Sequence, residues 1–215
     1  MSRLIRVIPA ILTDDTAAFN KMVKQAASYT DYVQVDIMDG QFVPSKSITC
    51  EQINEMPTGL HWEVHLMVKH PETQLAGYQK AGATKAIFHF EATLDPARVI
   101  AATRKLGMEV GLAINPETPV TSILPLTDKV DSVLFLSVHP GFYGAKFLPE
   151  VLAKIIELRR DRPELTIGID GGVKENNIVQ IAHTGVNQIC VGSAILTQPD
   201  PGAAYRKLLL LAQEN

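Results

Sequence analysis

Two aspartates stand where a soluble core rarely places a carboxylate. Asp36 lies inside the apolar, β-branched run Tyr32-Val-Gln-Val-Asp-Ile-Met38, and Asp170 ends Thr166-Ile-Gly-Ile-Asp170, just before Gly171 and Gly172. Alternate residues of a strand share a face, so Gln34, Asp36 and Met38 point one way and Val33, Val35 and Ile37 the other. A carboxylate there is costly to bury unless it is hydrogen-bonded, paired or bound to a cation. A further run, His61 to Val68, repeats the polar-polar-Met order, with Glu63, His65 and Met67 on one face. If the two acids face each other across a common mouth, one can remove a proton from one side of a carbon while the other returns one on the opposite side. A metal ion held between them, with His65 as a further ligand, would stabilise the enediolate formed on the way.

Other residues suggest what such a site would hold. Gly171 and Gly172 open backbone N–H groups toward an anion, and Gly192-Ser193 follows the last strand-like run. Paired turns after strands seven and eight of a barrel are the usual phosphate site. His139 and the loop Pro140-Gly-Phe-Tyr-Gly144 follow the sixth run, and are placed to close over a substrate and exclude water. His89 and Glu91, on the fourth run, read as a buried structural pair. A plain structural reading stands beside each assignment: a satisfied core Asp, a hydrogen-bonded core His, ordinary tight turns.

The elements that would position these residues alternate from end to end. Strand patterns fall at Leu4–Ile8, Tyr32–Met38, His61–Val68, Lys85–Glu91, Glu109–Ile114, Ser132–Val138, Thr166–Asp170 and Gln188–Val191. Helical patterns fall at Thr16–Tyr29, Thr49–Met56, Pro71–Ala81, Pro96–Leu106, Val120–Leu124, Pro149–Arg160, Asn176–His183 and Ala203–Ala212. Gly82, Gly107 and Gly185 each close a helical pattern shortly before a strand, which marks a weak internal repeat. Eight βα units of this size predict an α/β fold, a (β/α)8 TIM barrel forming one domain over residues 1–215. A doubly wound open sheet needs fewer strands and usually a Gly-rich first turn, which Ile8-Pro-Ala-Ile-Leu12 lacks.

Composition narrows the partners. The 215 residues are 46% hydrophobic and 20% charged, with a net charge of -3, an ordinary balance for a soluble globular protein. No basic cluster suggests nucleic acid, and Arg159-Arg160-Asp161-Arg162 reads as a solvated helix end. No apolar run is long enough for a bilayer, and the first ten residues lack the apolar core of a signal peptide. Cys50 and Cys190 are too far apart in sequence for a close-spaced pair and read as reduced thiols. The expectation is a soluble cytoplasmic protein without membrane or nucleic-acid partners. Its last helix, with Leu208 to Leu211, is expected to pack on the barrel.

Taken together, Val35-Asp-Ile-Met-Asp-Gly-Gln-Phe-Val-Pro44, Val64-His-Leu-Met-Val68, Phe88-His-Phe-Glu-Ala92, Asn115-Pro-Glu-Thr-Pro119, Pro140-Gly-Phe-Tyr-Gly144, Asp170-Gly-Gly-Val173 and Gly192-Ser-Ala194 resemble the ribulose-phosphate 3-epimerase family over almost the whole chain. The resemblance implies a (β/α)8 barrel that interconverts D-ribulose 5-phosphate and D-xylulose 5-phosphate by inversion at carbon 3. It also implies a divalent metal of the zinc, iron or manganese class held by two His and two Asp, the Asp pair doubling as acid and base, and a homo-oligomer. Asp36, Asp170 and His65 match three of those ligands. Met38 and Met67 match the methionines beside the intermediate. Gly141, Phe142, Tyr143, Gly144, Gly171, Gly172, Gly192 and Ser193 match the loop and phosphate contacts.

The departures from the family pattern sit at the same site. Gln34 stands where the family has its other metal-binding His, Ala10 where it has a substrate-binding Ser, Tyr143 where it has Gly, and His139 where it has Asn or Glu. An amide is a poorer ligand than imidazole for such ions, so the metal is expected to be weak or absent. Tyr143 reshapes the pocket, and His139 offers a replacement ligand or base. Three readings follow. One is an epimerase of a ketopentose phosphate with an altered metal site, the reading adopted. Another is an enzyme of a different sugar phosphate that uses Tyr143 and His139. The third is a barrel that binds a phosphorylated ligand without turning it over.

Overall fold

A computed structural model describes residues 4–53, 56, 59–141 and 146–214. Eight parallel strands close on themselves in sequence order: β1 (Arg6–Ile11), β2 (Tyr32–Met38), β3 (His61–Met67), β4 (Lys85–His89), β5 (Glu109–Ile114), β6 (Ser132–Leu136), β7 (Thr166–Asp170) and β8 (Gln188–Val191), with β8 pairing back onto β1. Helices follow the strands: α1 (Thr16–Ala26), α2 (Leu75–Lys80), α3 (Pro96–Lys105), α4 (Val151–Asp161), α5 (Ile178–Ala182), α6 (Ser193–Leu196) and α7 (Pro201–Ala212). The expected (β/α)8 architecture is the one observed.

Period-two alternation divides the core into two regions. Outward residues such as Val7, Val33, Val35, Val64 and Leu66 pack with helix residues, among them Phe19, Val99, Ile155 and Ile178, in one large apolar cluster. Inside the barrel a smaller apolar cluster, including Ile8, Ile87, Leu134 and Cys190, fills one side. The other side of the lumen is polar, with Gln34, Glu63, His65, Lys85 and His89 almost fully buried. Glycines make room for the large inward side chains: a Cβ on Gly111 would lie 2.6 Å from Cγ1 of Ile87, and one on Gly168 2.9 Å from Cδ1 of Leu134.

Several boundaries differ from the sequence reading, each for a local reason. β1 begins later and runs through Pro9 to Ile11, because burial of Val7 to Ile11 outweighs the missing N–H of Pro9. β4 stops at His89, and Phe90–Ala92 forms a 3-10 turn that swings Glu91 toward the loop after β5, where its Oε1 accepts from the Asn115 N–H. β6 stops at Leu136, since Ser137 turns to donate its hydroxyl to the carbonyls of Asp170 and Gly171. Of the expected helix Thr49–Met56, one 3-10 turn over Cys50–Gln52 is described, and residues 54 and 55 lie outside the described residues. Val120–Leu124 is likewise 3-10, continuing as a second such turn over Leu124–Lys129 in which Pro125 removes a donor.

The helix ends behave as their residues dictate. Asp15, Asp95 and Asp200 each accept a backbone N–H at the start of α1, α3 and α7. Gly82, Gly107 and Gly185 take positive φ at the ends of helical segments, as the repeat predicts. α7 lies against β1, α1, α5 and α6, with Leu208 and Ala212 buried. The expected packing of the last helix on the barrel therefore holds. Among the described residues no helix is long and apolar enough to cross a membrane.

Candidate active site

The two polar-polar-Met triples are neighbours in register. On β2 and β3, Gln34 pairs with Glu63, Asp36 with His65 and Met38 with Met67. The triples therefore form three rungs across adjacent strands, charged at the bottom and thioether at the mouth. Closure then brings in Asp170 from β7, 136 residues from Gln34 in sequence. The Gln34 amide donates from Nε2 to Oδ1 of Asp36 and to Oδ2 of Asp170, both at 2.8 Å. Its Oε1 accepts from the Cys190 thiol at 3.1 Å, so both ends of the amide are satisfied in this orientation.

His65 completes the cluster. Its Nδ1 lies 2.9 Å from Oδ1 of Asp36 and 3.6 Å from Oδ2 of Asp170, and its Nε2 lies 2.9 Å from Nε2 of His89. One ligand atom each from Asp36, His65 and Asp170 falls within 4.8 Å of the others, an arrangement that could hold a divalent cation. An oxygen-nitrogen-oxygen donor set suits a first-row ion, and three protein ligands leave a coordination position open.

Burial governs the electrostatics. It pushes the carboxyl of Asp36 up to about 7, against the pull of the Gln34 hydrogen bond. Asp170 is also pushed up to about 7, by burial first and then by the neighbouring charge of Asp36. Burial pushes the imidazoles the other way, His89 down to about 4 and His65 also below its ordinary value. Beneath them Glu63 is held by Lys85 at 2.9 Å and by the Tyr32 hydroxyl at 3.1 Å.

Above the acids a cavity opens at the C-terminal mouth of the barrel. It is lined by Asp36, His65 and Asp170, by Met38 and Met67, and on the opposite side by Gly171, Gly172, Gly192 and Ser193, with Gly141 at its edge. Gly171 (φ 110) and Gly172 (φ 65) take backbone conformations that L side chains avoid, and a Cβ on Gly171 would lie 2.5 Å from Val138. Of the residues that sequence grouped as one site, the described ones, Asp36, Met38, His65, Met67, Gly141, Asp170, Gly171, Gly172, Gly192 and Ser193, line one cavity. Ala10, the position of the family's Ser, lines it too.

Other assignments turn out differently. His139 does not join the cluster as a replacement ligand or base: exposed, it pairs instead with Glu117 at 2.8 Å. Loop residues have no periodicity to fix their direction, and the Glu117 carboxylate is the partner this one meets. Phe142, Tyr143 and Gly144 lie outside the described residues. His89 is fully buried, but Glu91, expected to be buried with it, sits exposed in a turn beyond β4 with its carboxylate 3.5 Å from His89 Nδ1; His89 also touches His65, which joins the pair to the site. Besides apolar lining, two cavity residues that carry a titratable group were not foreseen, Cys190 and Lys174. For Cys190 the strand parity of β8 carried the signal, since it pairs with Asp170. For Lys174 only its place after Gly171-Gly-Val173 did.

A closed (β/α)8 barrel whose mouth couples two buried acids to a glycine-lined pocket has the form of an enzyme active site. Comparison with known proteins narrows this. Residues 6–196 match the Ribulose-phosphate 3 epimerase family. Ribulose-phosphate 3-epimerase of Mycobacterium tuberculosis is 37% identical over 210 residues, covering 94% of this chain and 90% of its own. The enzyme of that name from Schizosaccharomyces pombe is 35% identical over 219 residues, covering 98% and 96%. In fold alone, 3-hexulose-6-phosphate synthase from Salmonella typhimurium superposes with a TM-score of 0.74 at 15% identity, covering 97% of this chain and 98% of its own. The chain belongs to the ribulose-phosphate 3-epimerase family, and with it to the enzymes of the epimerase class.

Proposed function

We propose that this enzyme interconverts D-ribulose 5-phosphate and D-xylulose 5-phosphate, with residues 1–215 acting as one catalytic domain. The observation that carries this reading is the pair of buried carboxyls, Asp36 and Asp170, tied to one amide beneath a glycine-edged cavity. Inversion requires one group to take the C3 proton and another to deliver a proton to the opposite face. Two carboxyls poised near neutrality, on strands three apart around the barrel, suit those roles because each can hold or release a proton at working pH. Gln34 orients both, donating one N–H to each. Met38 and Met67 roof the reacting carbon with polarisable, water-excluding surface. Backbone N–H groups around Gly171, Gly172, Gly192 and Ser193 take the phosphate, and Gly141 meets the sugar from the cavity's edge.

Asp36, His65 and Asp170 would hold the divalent cation, of the zinc, iron or manganese class. When bound, such an ion supplies positive charge that offsets the enediolate. With Gln34 in place of a second imidazole, its affinity is expected to be weak. The free thiols of Cys50 and Cys190 suit a reducing cytoplasm. A homo-oligomer is the expected state, which light scattering on the purified protein tests.

The deciding experiment incubates the purified protein with D-ribulose 5-phosphate in deuterium oxide, with and without added Mn2+. Formation of xylulose 5-phosphate carrying deuterium at C3 is the expected result. A second reading is favoured by one feature: Gln34 satisfies both acids without any ion. If the sugar phosphate binds yet no deuterium enters at any divalent ion tried, the barrel is a phosphosugar-binding homologue and not an epimerase.

A further inference from the structure

We propose that His89 and Glu91 are positioning residues for a divalent cation, fixing the His65 ring so that its Nδ1 presents a lone pair between Asp36 and Asp170; this rests on the cation-binding reading above. His65 Nε2 and His89 Nε2 are 2.9 Å apart, and two imidazole nitrogens at that separation share a single hydrogen. If His65 carries it, His65 Nδ1 is bare toward the acids and His89 keeps its hydrogen on Nδ1, aimed at Glu91. If His89 carries it, His89 Nδ1 is bare and faces a carboxylate. Without an ion, Asp36 Oδ1 at 2.9 Å from His65 Nδ1 is the closer acceptor and competes for a hydrogen there; with an ion between the acids, the surroundings favour the first arrangement. His89 Nδ1 is buried, has no hydrogen-bond partner among the described residues, and lies 3.5 Å from Oε2 of Glu91, within ion-pair reach but long for a good hydrogen bond. Glu91 is itself anchored, its other oxygen accepting from the Asn115 N–H at 2.9 Å and from the Thr118 hydroxyl. An acceptor held in place beside a buried nitrogen calls for an N–H there.

The ring geometry prevents escape. The His65 and His89 rings stack at 5.1 Å with 23° between planes, and Phe42 covers His89 from 4.9 Å. Neither imidazole can rotate without disturbing the other. A line therefore runs from the loop after β5 through Glu91, His89 and His65 to the two acids, each member orienting the next. The hydrogen lying between His65 Nδ1 and Asp36 is the one a cation displaces.

The test measures Mn2+ affinity by calorimetry on chelator-treated protein, together with 15N spectra of the histidines in the Zn2+-loaded wild type. His89→Phe is expected to weaken Mn2+ binding about 10- to 100-fold, as loss of a hydrogen-bond partner to a ligating imidazole does elsewhere. His89→Gln, whose amide oxygen can accept from Nε2, should recover part of that loss, and Glu91→Gln should weaken binding several-fold. The spectra should show His65 protonated at Nε2. Unchanged Mn2+ affinity in a folded His89→Phe variant overturns the proposal. Should that variant fail to fold, a wild-type spectrum with the hydrogen on His65 Nδ1, or unchanged affinity in Glu91→Gln, overturns it equally. A wild-type chain that binds neither ion sinks the cation reading, and this proposal with it.

Discussion

At the scale of single residues, Gln34 sets the character of the site. Its amide bridges the two carboxyls, donating one N–H to each beside the His65 imidazole. Gln34→His replaces a poor ligand by a good one and is expected to raise Mn2+ affinity at least tenfold, read by the same calorimetry, with turnover rising alongside. Unchanged affinity would count against a site that is only weakened. The carboxyls also make stability depend on pH. Both stand near 7 in the folded chain, against an ordinary 3.8, so the folded state keeps protons that the unfolded state has lost. That contribution is complete at low pH and disappears as pH rises through about 7. The lowered imidazoles work in the opposite sense, but only below their ordinary 6.5. In chelator-treated protein the urea midpoint should therefore fall between about pH 6.5 and 7.5, by up to about 1.4 kcal/mol per pH unit for each carboxyl. Asp170→Asn should flatten the slope.

At the scale of elements, the loop after β2 depends on Asp39. One carboxylate oxygen accepts from the N–H groups of Gln41 and Phe42, and the other reaches Lys69 at the end of β3. Partial burial alone would raise this carboxyl, yet the backbone donors hold it below its ordinary value. The loop brings Val43 and Phe42 against Met38 and Met67, forming the apolar rim of the cavity. Farther along it, Ser45 donates to the carbonyl of Gly141. Asp39→Ala is expected to lower stability by about 1–3 kcal/mol in denaturant titrations and to raise KM for ribulose 5-phosphate more than it lowers kcat. An equal fall in kcat with KM unmoved would instead place Asp39 in the chemical step.

At the scale of the whole molecule, the lumen combines an apolar half with a charged floor. Lys85→Met leaves Glu63 buried without its countercharge, and should cost about 3–5 kcal/mol, or roughly 6–20 °C in Tm by calorimetric scanning. Adding Glu63→Gln should recover part of the loss. Barrel closure, inward parity and the grouping of Asp36, His65 and Asp170 were legible in the sequence, because period-two alternation and repeated βα units are written locally. The Gln34 bridge was not, since it exists only once strands 136 residues apart are joined. The contact between His89 and His65 was hidden for the same reason, although the residues of both strands were visible. His139 was misjudged because a loop side chain answers to whichever neighbour the folded surface supplies, here Glu117.

The matched rungs of β2 and β3 have a consequence for how this mouth can change. Depth along the barrel axis is measured in steps of two residues, and each step has its own polarity: ionic, then proton-exchanging, then soft and oily. A molecule descending into the mouth sheds its water in that order reversed. Exchanging one step would alter the chemistry at one depth while the backbone stays where it is, and Gln34 beneath Asp36 occupies such a step.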